Sequence, residues 1–294
     1  TGAKRYRLPD VDEGLPMDAE GPQRGLASAS VRWGRIAVAV VLIAAGLNWV
    51  GWATGNTELT RFYPTWPPMT PWAALWLAAL GTSIVIQSGS PSPARVWIGR
   101  GLAAAVGGVA VVILAEYATG RSLGVDRIWF GQAVLALDSS WPGRPSPQTA
   151  LSVLFLAVVV ALTQVNRSWT LRVWALFWIA AMAVPVVTVV AYLFDAPTMI
   201  TLAQSLGMAV AAALGWTLLG AATVLVRPDR GPVAWWLAQT NKWSIFGMAV
   251  IVAGFPLSVG LSRHVFLALG AGVTSALALS TAVGTVLVAV SMFY

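Results

Sequence analysis

The chain has 294 residues, 57% of them hydrophobic and 10% charged, where an ordinary soluble domain carries about a quarter charged residues. That excludes an ordinary soluble enzyme, and the absence of Cys excludes a disulfide framework, a thiolate metal site and a cysteine nucleophile. The net charge of +7 does not point to nucleic acid, because the Lys and Arg are dispersed at the ends of apolar runs rather than gathered on a stripe.

Residues 1–31 mix Lys4, Arg5 and Arg7 with Asp10, Asp12, Glu13, Asp18 and Glu20. They read as a polar cytoplasmic tail, disordered in isolation, with no cleavable signal peptide. From residue 32 to 294 the chain is expected to be a transmembrane domain. Apolar runs at about 34–54, 71–89, 96–118, 148–165, 171–194, 202–226, 244–261 and 265–293 are each long enough for a tilted membrane helix. The fold class is therefore all-α, a polytopic transmembrane bundle of about eight helices. Phe255-Pro256 is expected near the end of the seventh, where a missing backbone N–H does least harm.

The first four runs contain a repeat. Trp52-Ala53-Thr54-Gly55 recurs as Tyr117-Ala118-Thr119-Gly120, and Pro71-Trp72-Ala73-Ala74-Leu75 recurs as Pro147-Gln148-Thr149-Ala150-Leu151. Two parallel copies of one helical hairpin follow, with a fainter third through Tyr192-Leu193-Phe194-Asp195-Ala196-Pro197. Each Thr-Gly pair suits a helix end with Gly left-handed, and each Pro suits the first turn of the next helix.

Alternating the loops places Lys4, Arg5, Arg7, Arg24, Arg32, Arg35, Arg95, Arg100, Arg167, Arg172, Arg227, Arg230 and Lys242 on one side. Arg61, Arg121, Arg127, Arg144 and Arg263 fall on the other. The basic majority marks the cytoplasmic side, so both termini are expected there, in a multi-pass protein of the plasma membrane.

Within the spans, Asn48 and Gln87 read as interhelical hydrogen-bonding groups. Glu116, beside Tyr117 near an outer helix end and close in sequence to Arg121, is either an interfacial acid paired with a loop arginine or part of an outward-facing ligand or ion site. The outer loop 119–147 is long for a helical bundle and rich in apolar and aromatic residues, so a short interfacial helix is expected at about 125–137. Asp126 and Arg127 would anchor it, or recognise a ligand. With Trp129 and Trp141 these residues make an outer cluster that is structural or sensing. Most of the sixteen Trp sit at span ends as an aromatic belt, while Trp76, Trp178 and Trp216 lie deeper and face other helices. Gly101 to Gly108 and Gly270-Ala271-Gly272 suit close helix packing rather than phosphate binding. A lone His264 and the lack of a Lys inside a span leave no metal, haem or retinal site, and no catalytic residue or cofactor is assigned.

Several of these segments carry a resemblance. Pro67-Pro68-Met69-Thr70-Pro71, Glu116-Tyr117-Ala118-Thr119-Gly120, Leu123-Gly124-Val125-Asp126-Arg127 with Phe130, Pro142-Gly143-Arg144-Pro145-Ser146-Pro147-Gln148-Thr149-Ala150-Leu151 and Arg227-Pro228-Asp229-Arg230-Gly231 resemble the multi-pass N-terminal membrane region of bacterial sensor histidine kinases and diguanylate cyclases. The resemblance covers most of residues 34–293. It implies a sensor or anchor module whose cytoplasmic output domain would follow Tyr294, with the lipid bilayer, a second copy or other membrane subunits as partners. No phosphorylation motif, nucleotide box or cyclase signature lies within the chain. The alternative expectation is a non-catalytic accessory subunit of a larger membrane complex.

Overall fold

A computed structural model describes residues 21–89, 91–137, 139, 141–165, 167–194, 207–229, 231–237 and 242–292. The tail residues 1–20, and residues 195–197 of the third repeat motif, lie outside the described residues. Among the described residues the chain is all-helical. In order come α1 (Gly21–Thr54), α2 (Pro71–Ile86), α3 (Pro93–Thr119), α4 (Gly131–Leu135), α5 (Pro147–Leu162), α6 (Ser168–Leu193), α7 (Val210–Leu225), α8 (Gly231–Leu237), α9 (Lys242–Ala268) and α10 (Val273–Met292). Three of them, over Gly25–Thr54, Pro93–Thr119 and Trp169–Leu193, are long and apolar enough to cross a membrane.

The hairpins alternate a long helix with a short one. α1, α3 and α6 are long, and α2, α5 and α7 have 16 residues each. The three short helices touch one another in the centre. Each long helix packs on the short helix of its own hairpin and on that of the preceding one: α3 on α5 and α2, α6 on α7 and α5, and α1 on α2 and α7. The last contact closes a ring of three hairpins with pseudo-threefold order. The third hairpin, faint in sequence, is as complete in packing as the other two.

Local chemistry sets the ends of these helices. Thr70 and Ser146 accept hydrogen bonds from the N–H of Ala73 and Thr149, and Pro71 and Pro147 follow in the first turn. Gly55 and Gly120 take left-handed φ values of 72° and 64°, which only glycine adopts freely. At the opposite end arginines satisfy carbonyls that a helix leaves open. Arg95 donates to Val85 O (3.5 Å), Arg100 to Ala161 O (3.2 Å) and Arg227 to Thr163 O (2.6 Å). Gln87 joins the same end, donating to Val160 O across to α5 and accepting from Gln164. Asn48 instead donates to Met69 O, and with Trp52 it holds the loop before α2.

Close crossings fall on glycine. A Cβ on Gly34 would lie 2.9 Å from Val226 Cγ1, and one on Gly99 would lie 2.6 Å from Gln87 Cγ. Both sit where a long helix crosses the end of the preceding short helix. Within the Gly101 to Gly108 stretch, Gly107 meets Ala157, whereas Gly101 and Gly108 face open space.

Three boundaries differ from the sequence reading. Helix α1 already covers residues 21–31 of the expected tail. Helix α9 runs through the expected break at 262–264, so Pro256 lies inside it and Arg263 is a buried helical residue rather than a loop cation. The turn comes instead at Gly270, φ 88°, where the N–H of Gly270 bonds Leu267 O and that of Ala271 bonds Phe266 O. This is a glycine helix end of the 6→1, 5→2 kind, so Gly270-Ala271-Gly272 serves as a turn and not as a packing face. The hairpin of α9 and α10 packs along α6, where Gly260 meets Leu193.

Gly99→Val should lower the thermal unfolding midpoint of the detergent-solubilised chain, by an overpacking penalty of about 1–3 kcal/mol. Gly101→Val, on the same helix with open space at its Cβ, should leave the midpoint unchanged. Equal midpoints for the two variants would refute the crossing.

Candidate functional site: a buried arginine at the outer loop

Helix α3 ends one residue before Gly120, and the chain folds back over its end. Glu116, on the last turn of α3, accepts a hydrogen bond from Leu123 N at 2.6 Å. Ser122 donates to Asp126, and its hydroxyl accepts from Gly124 N. Residues Val125–Arg127 form a 3₁₀ turn. The loop then returns to the start of α5, and two residues before the Ser146 cap it places Arg144 against the acids.

Arg144 is the centre of the arrangement. Its Nε lies 3.3 Å from Glu116 Oε2 and its Nη2 3.2 Å from Asp126 Oδ2, and all three side chains are fully enclosed. Nη2 also donates to Arg121 O at 3.4 Å. The Glu116 contact is an ion pair without hydrogen-bond alignment, since neither Nε nor Oε2 makes a hydrogen bond. The guanidinium lies 5.0 Å from the ring centre of Tyr117 and 4.3 Å from that of Trp141, where a desolvated cation is attracted to the ring faces. Gly143, at φ 82°, makes the approach possible: a Cβ there would overlap Val134 and lie 2.5 Å from Asp126 O.

Of the residues singled out in the sequence, Glu116, Tyr117, Asp126 and Trp141 converge on Arg144. Arg121 contributes only its carbonyl, and its side chain is exposed; the loop arginine paired with Glu116 is Arg144. The nearer arginine in sequence follows Gly120 out into solvent, whereas Arg144 is fixed between Gly143 and Pro145. Arg127 is exposed and outside the network. The expected helix at 125–137 is two pieces, the 3₁₀ turn and α4, separated at Phe130, the one non-glycine residue with positive φ (52°) among the described residues. Such a conformation costs ~1–2 kcal/mol.

Trp129 belongs to a neighbouring aromatic cluster. Its ring is 5.2 Å from Trp49 and 6.1 Å from Trp72, Phe130 is 5.2 Å from Trp49, and Trp72 donates to Val125 O at 2.7 Å. Two sets of contacts thus fix the loop, ionic over α3 and α5 and aromatic over α1 and α2. The sequence reading counted Arg144 only as a loop cation. Its position between Gly143 and Pro145, in a loop that also carries two acids, was the signal for its role.

The network holds one hydroxyl beside a carboxylate, Ser122 donating to Asp126, and among the described residues no group of three His, Asp or Glu is placed to hold a metal ion. Its chemistry is electrostatic and conformational. Removing one member of a buried ion network leaves an uncompensated charge, at about 3–5 kcal/mol. Arg144→Ala should therefore lower the unfolding midpoint sharply and make the loop cleavable by added protease. The triple variant Arg144→Met, Glu116→Gln, Asp126→Asn should recover much of the loss. An Arg144→Ala protein as stable and protease-resistant as the parent would overturn this account.

Comparison of the chain with protein-family models, with curated proteins and with solved structures finds no match.

Proposed function

We propose that this chain is the membrane-embedded sensor or anchor module of a bacterial signal-transduction protein, crossing the plasma membrane several times with both termini in the cytoplasm. In this reading all eight longer helices lie in the bilayer, and an output domain follows Tyr294. The observation that carries it is the outer loop: its described residues are bound by buried charge at Glu116, Asp126 and Arg144 and by edge-to-face indole contacts to Trp49 and Trp72, joining α1, α2, α3 and the start of α5 at the end of the ring opposite the arginine-rich one. A stimulus that favoured the loop detached over the loop bound would act on four helices at once. Such a change requires different affinities for the two packing states. The hairpin of α9 and α10, resting along α6, would carry the change inward.

The exposed small residues Gly101, Ala104, Ala105 and Gly108 on one face of α3 favour a second reading, an accessory subunit whose α3 packs against another membrane helix.

Reading the gene beyond codon 294 separates them. A kinase, phosphatase or cyclase module in frame supports the sensor reading, and its activity should then change at least several-fold in an Arg144→Ala variant that is still membrane-inserted. A stop codon, with stoichiometric partners retained in mild detergent, would move the chain to the accessory-subunit reading.

A further inference from the structure

At the end of the ring opposite the outer loop, the three long helices carry one pattern at one depth. On α3 it is Arg95, Trp97 and Arg100, and on α6 it is Arg167, Trp169 and Arg172, the same spacing in both. On α1 it is the tighter Arg32, Trp33 and Arg35. The pattern follows depth and not helix capping. It opens α3 and α6, but on α1 it lies eleven residues inside a helix that starts at Gly21, level with the end of α7 through the Gly34 crossing. Arg95 in the first turn of α3 and Arg167 at the start of α6 oppose the dipole of the helix they open, so the stability of their own helices does not explain them.

The indoles are turned outward: Trp33, Trp97 and Trp169 are 60%, 70% and 53% exposed. Arg35, Arg95 and Arg100 each give one N–H to the ring, to Ser88 Oγ, Val85 O and Ala161 O, out of the five donors of a guanidinium. Arg100 also lies over the Trp97 ring. Among the described residues one carboxylate, Asp229, occupies this end, and Arg227 holds it through two hydrogen bonds of 2.9 and 2.8 Å. Beyond each indole the lipid-facing surface is apolar, with Ile36 and Val40 on α1, Ile98 on α3 and Leu171 on α6 all exposed.

We propose that each Arg–Trp–Arg set is a binding site for the headgroup of an acidic phospholipid, three per chain. The phosphate is met by guanidinium N–H groups that the ring leaves open, the glycerol region by the indole and the acyl chains by the apolar surface. This rests on the reading of the ring as membrane-embedded. The fit is to a phosphate joined to apolar chains, because the indole and the aliphatic surface have no role with free phosphate.

The test is native mass spectrometry of the full chain, delipidated in detergent and offered an equimolar mixture of phosphatidylglycerol and phosphatidylcholine. The expected result is up to three retained phosphatidylglycerol molecules, favoured by about tenfold over phosphatidylcholine, the scale set by one or two basic groups at a charged membrane surface. Arg167→Gln with Arg172→Gln should remove one of the three with an unchanged unfolding midpoint, since neither side chain is buried; Trp97→Leu should weaken a second. Equal retention of both lipids, or no loss in the double variant, would overturn the proposal. So would displacement by inorganic phosphate at matched ionic strength, which would assign the sites to the free anion. Carbonate extraction of membranes tests the embedding separately: release into the supernatant would sink the membrane reading, whereas a pelleted chain without lipid preference would sink only the lipid sites.

Discussion

A helix of sixteen residues is about 24 Å long, and the hydrocarbon core of a bilayer is about 30 Å thick. In the proposed membrane setting, α2, α5 and α7 are therefore too short to face lipid along their whole length without leaving open backbone groups in hydrocarbon, where each would cost several kcal/mol. The ring answers this by placing all three in the centre and wrapping them with longer helices. The outer ends of α2 and α5 are closed by Thr70 and Ser146 and their inner ends by Arg95, Arg100 and Arg227, while at the inner end of α7 Ser30 donates to Leu225 O. Glycine at the crossings, and arginines that reach across to a neighbour's carboxyl end, follow from that need.

The outer loop depends on the same geometry. Because α3 and α5 are neighbours in one hairpin, the loop joining them must double back over its own helix ends, and it does so with charge buried rather than exposed. Two carboxylates around one guanidinium make a poor source of stability compared with apolar packing. They do make an arrangement that tolerates few substitutes, since Tyr117, Trp141 and Gly143 all have to be in place for Arg144 to fit.

Much of the fold was legible because long apolar helices announce themselves by length and apolarity. The two Thr-Gly ends and the prolines at 71 and 147 carried the first two hairpins. The third was fainter because Ala209 stands where Thr70 and Ser146 supply hydroxyl caps, and its completeness is visible in packing. The α9 boundary was misplaced because Arg263 and His264 look like loop residues, while the turn itself was encoded in Gly270. At the site, the acids and aromatics were picked out by type, but pairing across a loop is a matter of which cation the backbone holds still. Sequence distance favoured Arg121; Gly143 and Pro145 favoured Arg144.

Ring closure has a consequence for how the protein is made. The groove on α1 that includes Gly34 is filled by the end of α7, and about 170 residues separate the end of α1 from the end of α7. At ordinary translation speeds that is a wait of roughly ten to thirty seconds. For that time the first hairpin sits beside the ribosome with one flank uncovered, while later hairpins are added one by one. In the proposed membrane setting, that flank meets lipid or the insertion machinery in place of α7. Once α7 arrives there is no vacant groove left, which is why a fourth hairpin, α9 with α10, rests against the outside of the ring.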